Sequence, residues 1–497
     1  MKTEERRSKI TSSGWGGRAG KKGRGRYPVF VAALVVAVVA SSCTVGPNYV
    51  RPEAPVASGY KEMKGWKAAE PQDRLPRGAW WVLFDDPQLT AFEEQVNVSN
   101  QNIAQAEAQF RQARAAVQAA RSAYFPTATI GPSFQRSFQK GSQSSPGTIS
   151  VYSLPVDVLW EPDLFGRVRR SVEASRADAQ ATAAEVENVR LAMCSELALD
   201  YFQLRTLDAQ KQLLDATVKA YGKALELTRN RYASGVVSRG DVLQAETQLR
   251  TTQAQAIDVG VQRSQLEHAI AVLLGRPPSE LSIPFLPLAS GPPSVPIGLA
   301  SELLERRPDI AAAERQVAAA NARIGLTIAA FYPTITLSAS AGLQSTNLAD
   351  LFTWPARFWS VGSALSETLF EGGLRKAQTA QARAAYDATV ASYRQAVLTG
   401  FQEVEDNLST LRILEQEAAT QAEAVKAARD SLEIITNQYQ AGIVGYVNVV
   451  VAQATELSSE RTAIAIQGQR MTASTLLIKA LGGGWDTSAL PAEKALK

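Results

Sequence analysis

Two long tracts of this chain of 497 residues repeat each other at one fixed offset of 207. Tyr124-Phe125-Pro126-Thr127 answers Phe331-Tyr332-Pro333-Thr334, Gly166 answers Gly373, and Tyr232-x-x-Gly235 answers Tyr439-x-x-Gly442. The period is far too long for a solenoid unit of about 20–50 residues. It demands two copies of one large unit, so any fold for this chain must be buildable twice.

Hydrophobic spacing repeats with the same offset. Ile103, Ala106, Phe110, Ala113, Val117, Ala120 and Tyr124 alternate steps of three and four, and Ile310 through Phe331 do so again. That is the seam of a helix packed lengthwise on others. Downstream, Leu207, Leu214, Val218, Tyr221, Leu225 and Tyr232 form a second stripe, mirrored by Leu414, Gln421, Val425, Ala428, Leu432 and Tyr439. No proline interrupts 167–232 or 374–439, so each predicts a rod of roughly 100 Å at 1.5 Å per residue. Each rod turns at a glycine segment into a return helix over 241–274 or 448–481.

Between the helices the period changes to two. The stretches 128–138, 152–160, 335–343 and 357–369 alternate apolar with small or polar residues, as in Tyr152, Leu154, Val156, Val158 and Trp160. This predicts four strands of membrane-spanning length, each with one apolar face. A soluble, half-buried sheet would show the same alternation, and the leader decides between them. Four strands cannot close a barrel in one chain, and an open edge in lipid leaves backbone groups unpaired. Other copies must complete it; spacing alone leaves two, three or four copies open.

Charge locates that leader. Residues 1–26 hold nine basic and two acidic side chains, and the remainder carries 43 basic against 46 acidic. The net +4 is therefore local to the N-terminus and offers no nucleic-acid surface. The apolar run Val29–Ala40 spans about 18 Å as a helix, too short to cross a bilayer. A basic start, a short apolar core and small residues at the exit describe a signal peptide over 1–42. The exit Ala40-Ser41-Ser42-Cys43 resembles a bacterial lipobox, with Ala40 where leucine is preferred, which implies a covalent lipid on Cys43. Thr44 follows, not the aspartate that holds lipoproteins at the inner membrane.

The chain has one histidine, His268, two cysteines, Cys43 and Cys194, and no phosphate-cradling glycine loop. A metal site or a nucleophile–base pair lacks its residues, so no enzyme, no catalytic residue, no metal and no cofactor beyond that lipid is expected.

Five further stretches, in order along the chain, carry a family resemblance. They are Cys43-Thr44-Val45-Gly46-Pro47-Asn48-Tyr49, Trp80-Trp81-x-x-Phe84-x-Asp86-Pro87, Leu273-Leu274-Gly275-Arg276-Pro277, Leu303 through Ile310, and Ala480-Leu481-Gly482-Gly483-Gly484-Trp485. The chain resembles the outer-membrane factor (TolC-like) family, in its lipoprotein branch of OprM- and NodT-type efflux channels. The resemblance implies a homotrimer in which a 12-stranded membrane β-barrel sits on a long α-helical barrel. It implies a passive duct from periplasm to exterior in a Gram-negative outer membrane, partnered by a periplasmic adaptor and an inner-membrane pump of the RND type. The expected organisation is 43–85 as an extended segment with equatorial contacts, 86–276 and 299–484 as the two efflux repeats, 277–298 as a Pro-rich linker and 485–497 as a tail.

By the same resemblance the hairpin tips dock the adaptor, through Gly235, Val236, Ser238 and Asp241 and through Gly442, Ile443 and Gly445. The periplasmic gate falls on Tyr439, Asn448 and Val451; where the family can carry two aspartates, this chain has Asn448 and Val451, which implies an apolar constriction. A coiled-coil lipoprotein spacer between outer membrane and cell wall would also use the leader and rods, but not four duplicated strands.

Overall fold

The computed structural model describes residues 44–57, 59–62, 78–139, 147–288, 291–293, 295, 303–492 and 494–495. The leader and Cys43 lie outside the described residues. The main elements are α1 (Pro87–Ser99), α2 (Gln101–Ser122), β1 (Thr127–Ile130), β2 (Ser133–Gln139), β3 (Gly147–Trp160), α3 (Arg167–Ala233) and α4 (Arg239–Leu273). They continue with α5 (Pro308–Ala329), β4 (Thr334–Ser345), β5 (Arg357–Ser366), α6 (Leu374–Gln440) and α7 (Tyr446–Ala480). Three helix pairs, α2/α5, α3/α6 and α4/α7, start and stop at positions separated by the sequence offset. The rods α3 and α6 are each 67 residues long.

The expected strand over 128–138 is two strands, and the sheet has five rather than four. Pro132 has no N–H to give, and the Gly131 N–H reaches the Pro155 carbonyl instead. The interruption does not shift the register: Ile130 faces Val156 and Phe134 faces Tyr152, on one continuous line along β3. β1 and β2 thus share one position in the order β1/β2–β3–β4–β5, all antiparallel. β3 also begins earlier than expected, at Gly147, and β5 ends earlier, at Ser366.

The repeat is equal in sequence spacing and unequal in burial. α5 lies between α3 and α6, with Ile310, Val317, Ala319 and Ala322 fully covered. Its counterpart α2 packs chiefly on α3 and buries only Ile103, Ala106 and Val117. The rods differ likewise: Leu398 and Ile413 of α6 are exposed, where Leu191 of α3 is half-buried and Thr206 buried. Tyr232, expected on the buried stripe, is exposed, whereas Tyr439 is buried.

The largest core lies midway along the rods. Trp80, Trp81, Phe84, Leu89 and Val96 pack there against Leu197, Tyr201 and Leu204 of α3 and Leu477 and Ile478 of α7. Each fully buried leucine contributes about 1.5–3 kcal/mol. α1 starts under Asp86, which accepts from the Gln88 and Leu89 N–H groups. The buried pair Arg205–Asp208 meets Arg263 of α4; Arg205 donates to the Pro284 carbonyl, Arg263 to the Ile283 carbonyl, and Asp208 accepts from the Leu286 N–H, pinning the linker to the core.

An extended strap runs along the rods towards that core. Thr44 packs on Gly166, where sheet gives way to helix. Arg170, almost fully buried, donates to the carbonyls of Val45 and Gly46 and to Asn48. Asn321 then binds Pro47, Tyr49 donates to Glu314, and Arg51 donates to Tyr393. The backbone N–H groups of Lys61 and Glu62 end the strap on Glu405 of α6.

Candidate functional site

Two parts of the chain carry the expected chemistry, the helical tips and the sheet. At the tips both rods end in one backbone motif. The Val236 N–H returns to the Arg231 carbonyl and the Gly235 N–H to Tyr232; Ile443 and Gly442 do the same with Gln438 and Tyr439. Gly235 and Gly442 have φ of 74° and 77°, a left-handed conformation that costs a side chain energy. Val236 and Ile443 are thereby left projecting into solvent.

The two return helices start differently. Ser238 caps α4, its hydroxyl accepting from the Asp241 N–H while the Asp241 carboxylate accepts from the Ser238 N–H. This capping box ties Ser238 and Asp241 to each other. In the second repeat Gly445 and Asn448 stand in their places, and α7 has no side-chain cap. The Asn448 amide donates only to the Gly445 carbonyl.

Behind the tips lies a small core of Tyr221, Leu225, Ala245, Leu249, Tyr439, Tyr446 and Val449. Tyr439 and Tyr446 have ring centres 5.3 Å apart. The Arg231 guanidinium sits over the Tyr439 ring. The Tyr221 hydroxyl donates to the Gln453 carbonyl. Burial, reinforced by Tyr439 beside it, pushes the Tyr446 phenol up to about 12, so it stays neutral across physiological pH.

The three expected gate residues are not brought together. Tyr439 faces the hairpin interior, and its buried hydroxyl has no hydrogen-bond partner among the described residues. Asn448 and Val451, together with Val447, lie on the exposed side of α7, opposite Tyr446 and Val449. The sequence reading missed Arg231 and Tyr446 as partners of Tyr439. Arg231 meets Tyr439 only across the two hairpins and Tyr446 only through the fold-back of its own hairpin, and spacing within one helix carries no sign of either.

The sheet sorts most of its side chains by face. Ile130, Val156, Ala341 and Trp359 form one cross-strand row, and Ala128, Val158, Ala339 and Val361 the next. Leu154 faces Leu343, and Ile335 faces Leu365, on the same side. The other side carries Thr129, Asp157, Ser340 and Ser360 in a single row. Trp359, Val361 and Leu365 are each about 70–80% exposed in the single chain, an apolar surface that water does not favour.

Among the described residues, no helix is long and apolar enough to cross a membrane. No group of three or more His, Cys, Asp or Glu among them could hold a metal. His268 is exposed on α4.

A sheet with one apolar face, mounted on two proline-free rods, is the arrangement of a membrane-inserted sheet with a helical extension. The outer membrane efflux protein family model matches residues 94–276 and 299–483. The toluene efflux pump outer membrane protein TtgC of Pseudomonas putida is 31% identical over 461 residues, covering 92% of this chain and 95% of that one. The pyoverdine export outer membrane protein OpmQ of Pseudomonas aeruginosa is 28% identical, covering 87% and 94%. The solved outer-membrane channel OprN superposes with a TM-score of 0.84 at 30% identity, covering 89% of this chain and all of that one. The chain belongs to the outer membrane efflux protein family. It is an efflux channel of the Gram-negative outer membrane and not an enzyme.

Proposed function

We propose that three copies of this chain close a 12-stranded barrel and a helical duct, which passes cargo from periplasm to exterior. The carrying observation is the sheet: its apolar face is continuous, yet β1/β2 and β5 both end it as open edges. Each unpaired backbone group in hydrocarbon costs several kcal/mol, so the edges must pair with each other across copies. The helices support the same closure. Within the chain, α3 of the first repeat packs on α5 of the second. Continuing that relation places α6, with its exposed Leu398 and Ile413, against α2 of the next copy.

In this reading the strap sets the lipid anchor. Thr44 lies at the junction of sheet and helix, so a chain cleaved before Cys43 would start one residue from the membrane face, where a lipid on Cys43 would enter the inner leaflet. A periplasmic adaptor docks on the tips at Val236, Ser238, Ile443 and Gly445, and an inner-membrane pump supplies energy. Gly235, Gly442 and Asp241 shape these tips. Asn448 and Val451 line the closed constriction, with Tyr439 holding the hairpins together behind it. The 277–298 linker and the 485–497 tail belong to the equatorial belt.

Mass measurement of the detergent-extracted protein tests this directly. Three chains per assembly are expected, with a cysteine pair placed on β5 and β1 crosslinking only between chains. A monomer, or crosslinking within one chain, would overturn it. In cells without a related channel, deletion should raise sensitivity to exported toxic compounds.

A further inference from the structure

The apolar face of the sheet carries two cations. Arg136 of β2 faces Ser150 across the sheet, and it shares a side with Phe134 and Phe138. Arg357, the first residue of β5, faces Leu343 and shares a side with Trp359 and Val361. Both arginines are exposed. Both stand towards the end remote from the helices, near the turns that join β2 to β3 and β4 to β5. Among the described residues neither has an acidic partner, and neither guanidinium donates a hydrogen bond. The Arg357 guanidinium lies 3.9 Å from the centre of the exposed Trp354 ring, which leaves its N–H edge free.

An unneutralised guanidinium on a lipid-facing surface is disfavoured in hydrocarbon and tolerated at the headgroup level. There it matches phosphate, which accepts two parallel N–H bonds from its planar fork. Aromatic rings towards the same end of the sheet, Phe134, Tyr152, Trp354 and Trp359, are the ordinary companions of a membrane interface. The two arginines also occupy the two outer positions of the sheet, β2 on one side and β5 on the other. When copies close the barrel, β5 of one meets β1/β2 of the next, and both cations belong to the same seam.

We infer that Arg136 and Arg357 of adjacent copies form a seat for the phosphate of an outer-leaflet lipid at each seam. This rests on the trimeric barrel proposed above. The seat would fasten the seam to its leaflet and favour the assembled state.

The test uses the full-length assembly, purified and stripped of lipid, with phosphorylated lipid A as probe. Binding is read by native mass spectrometry, and the heat needed to dissociate the assembly by gel mobility. Lipid A should bind and raise the dissociation temperature in the unaltered protein. In R136Q/R357Q the apparent affinity should fall by about tenfold or more, a loss of roughly two charged contacts. R136K/R357K, which keeps the charge, should retain part of it. Equal binding of dephosphorylated lipid A, or undiminished binding in R136Q/R357Q, would overturn the inference. An equal rise with inorganic phosphate alone would overturn the lipid as its source. Because the same spectra count chains, an unaltered protein that is not trimeric would refute the barrel itself, whereas a trimer indifferent to lipid phosphate would refute only the seat.

Discussion

The Arg231 guanidinium sits 4.5 Å from the centre of the Tyr439 ring and donates to the Tyr439 carbonyl at 3.4 Å. One residue ends the first rod and the other ends the second, so this contact ties the two hairpin tips of a chain together. A cation over a partly desolvated ring contributes about 1–2 kcal/mol. Arg231→Ala should therefore raise the open fraction of the assembled channel by roughly 5–30-fold, read as conductance events in a planar bilayer. Arg231→Lys should restore part of the closure. An assembled R231A channel as silent as the unaltered one would show that the contact does not hold the tip.

Glycine matters differently at the two ends of the return path. A Cβ on Gly482, with φ of 88°, would overlap the Arg306 carbonyl oxygen; its repeat partner Gly275 stands in the same relation to the Ser99 carbonyl. Gly235 has φ of 74° but open space around it. Gly482→Ala should abolish assembly, because backbone must move as well as strain. Gly235→Ala should cost about 1–2 kcal/mol, the left-handed penalty alone, and leave a trimer on a native gel. Equal losses in both variants would contradict this division.

These glycines also show how much was legible in the sequence. Rods, return helices and the repeat were readable because no proline interrupts 167–232 or 374–439 and seam residues recur at steps of three, four or seven over 207–232 and 414–439. The break in the first strand was not read, because alternation continues in phase through Gly131-Pro132 while only the hydrogen bonding stops. The unequal burial of α2 and α5 was invisible, since Phe110 and Val317 occupy the same seam position, yet Val317 is fully buried and Phe110 only half-buried. The resemblance placed the gate residues on their helices, but which side of α7 meets Tyr439 depends on how α6 and α7 pack on each other.

Glu93 makes the core midway along the rods sensitive to pH. It is fully buried on α1, and neither carboxylate oxygen has a hydrogen-bond partner among the described residues. Burial outweighs the Cys194 thiol beside it and holds the carboxyl well above the usual carboxylate range. It is thus neutral in the fold and ionises on unfolding. A folded value above the unfolded one means that its stability contribution is full below about pH 4.5 and falls as the pH rises. Glu93→Gln, which cannot ionise, should match the unaltered protein in acid and exceed its melting temperature increasingly towards pH 8. A gap that does not change with pH would rule out the protonated carboxyl.

The two sides of β5 offer a control within three residues. Val361 lies on the apolar side, in a row with Ala339 and Val158, while Ser360 lies on the polar side opposite Ser340. If the apolar side meets lipid, a cation at Val361 enters hydrocarbon at a cost of about 2–4 kcal/mol per copy near the midplane. Three copies multiply that cost, so Val361→Arg should sharply reduce the assembled protein recovered from outer membranes. Ser360→Arg adds the same side chain to the wetted side; it should assemble normally and change single-channel conductance and ion preference instead. If the outcomes were exchanged, with S360R lost and V361R assembled, the sheet would have its other face to the lipid.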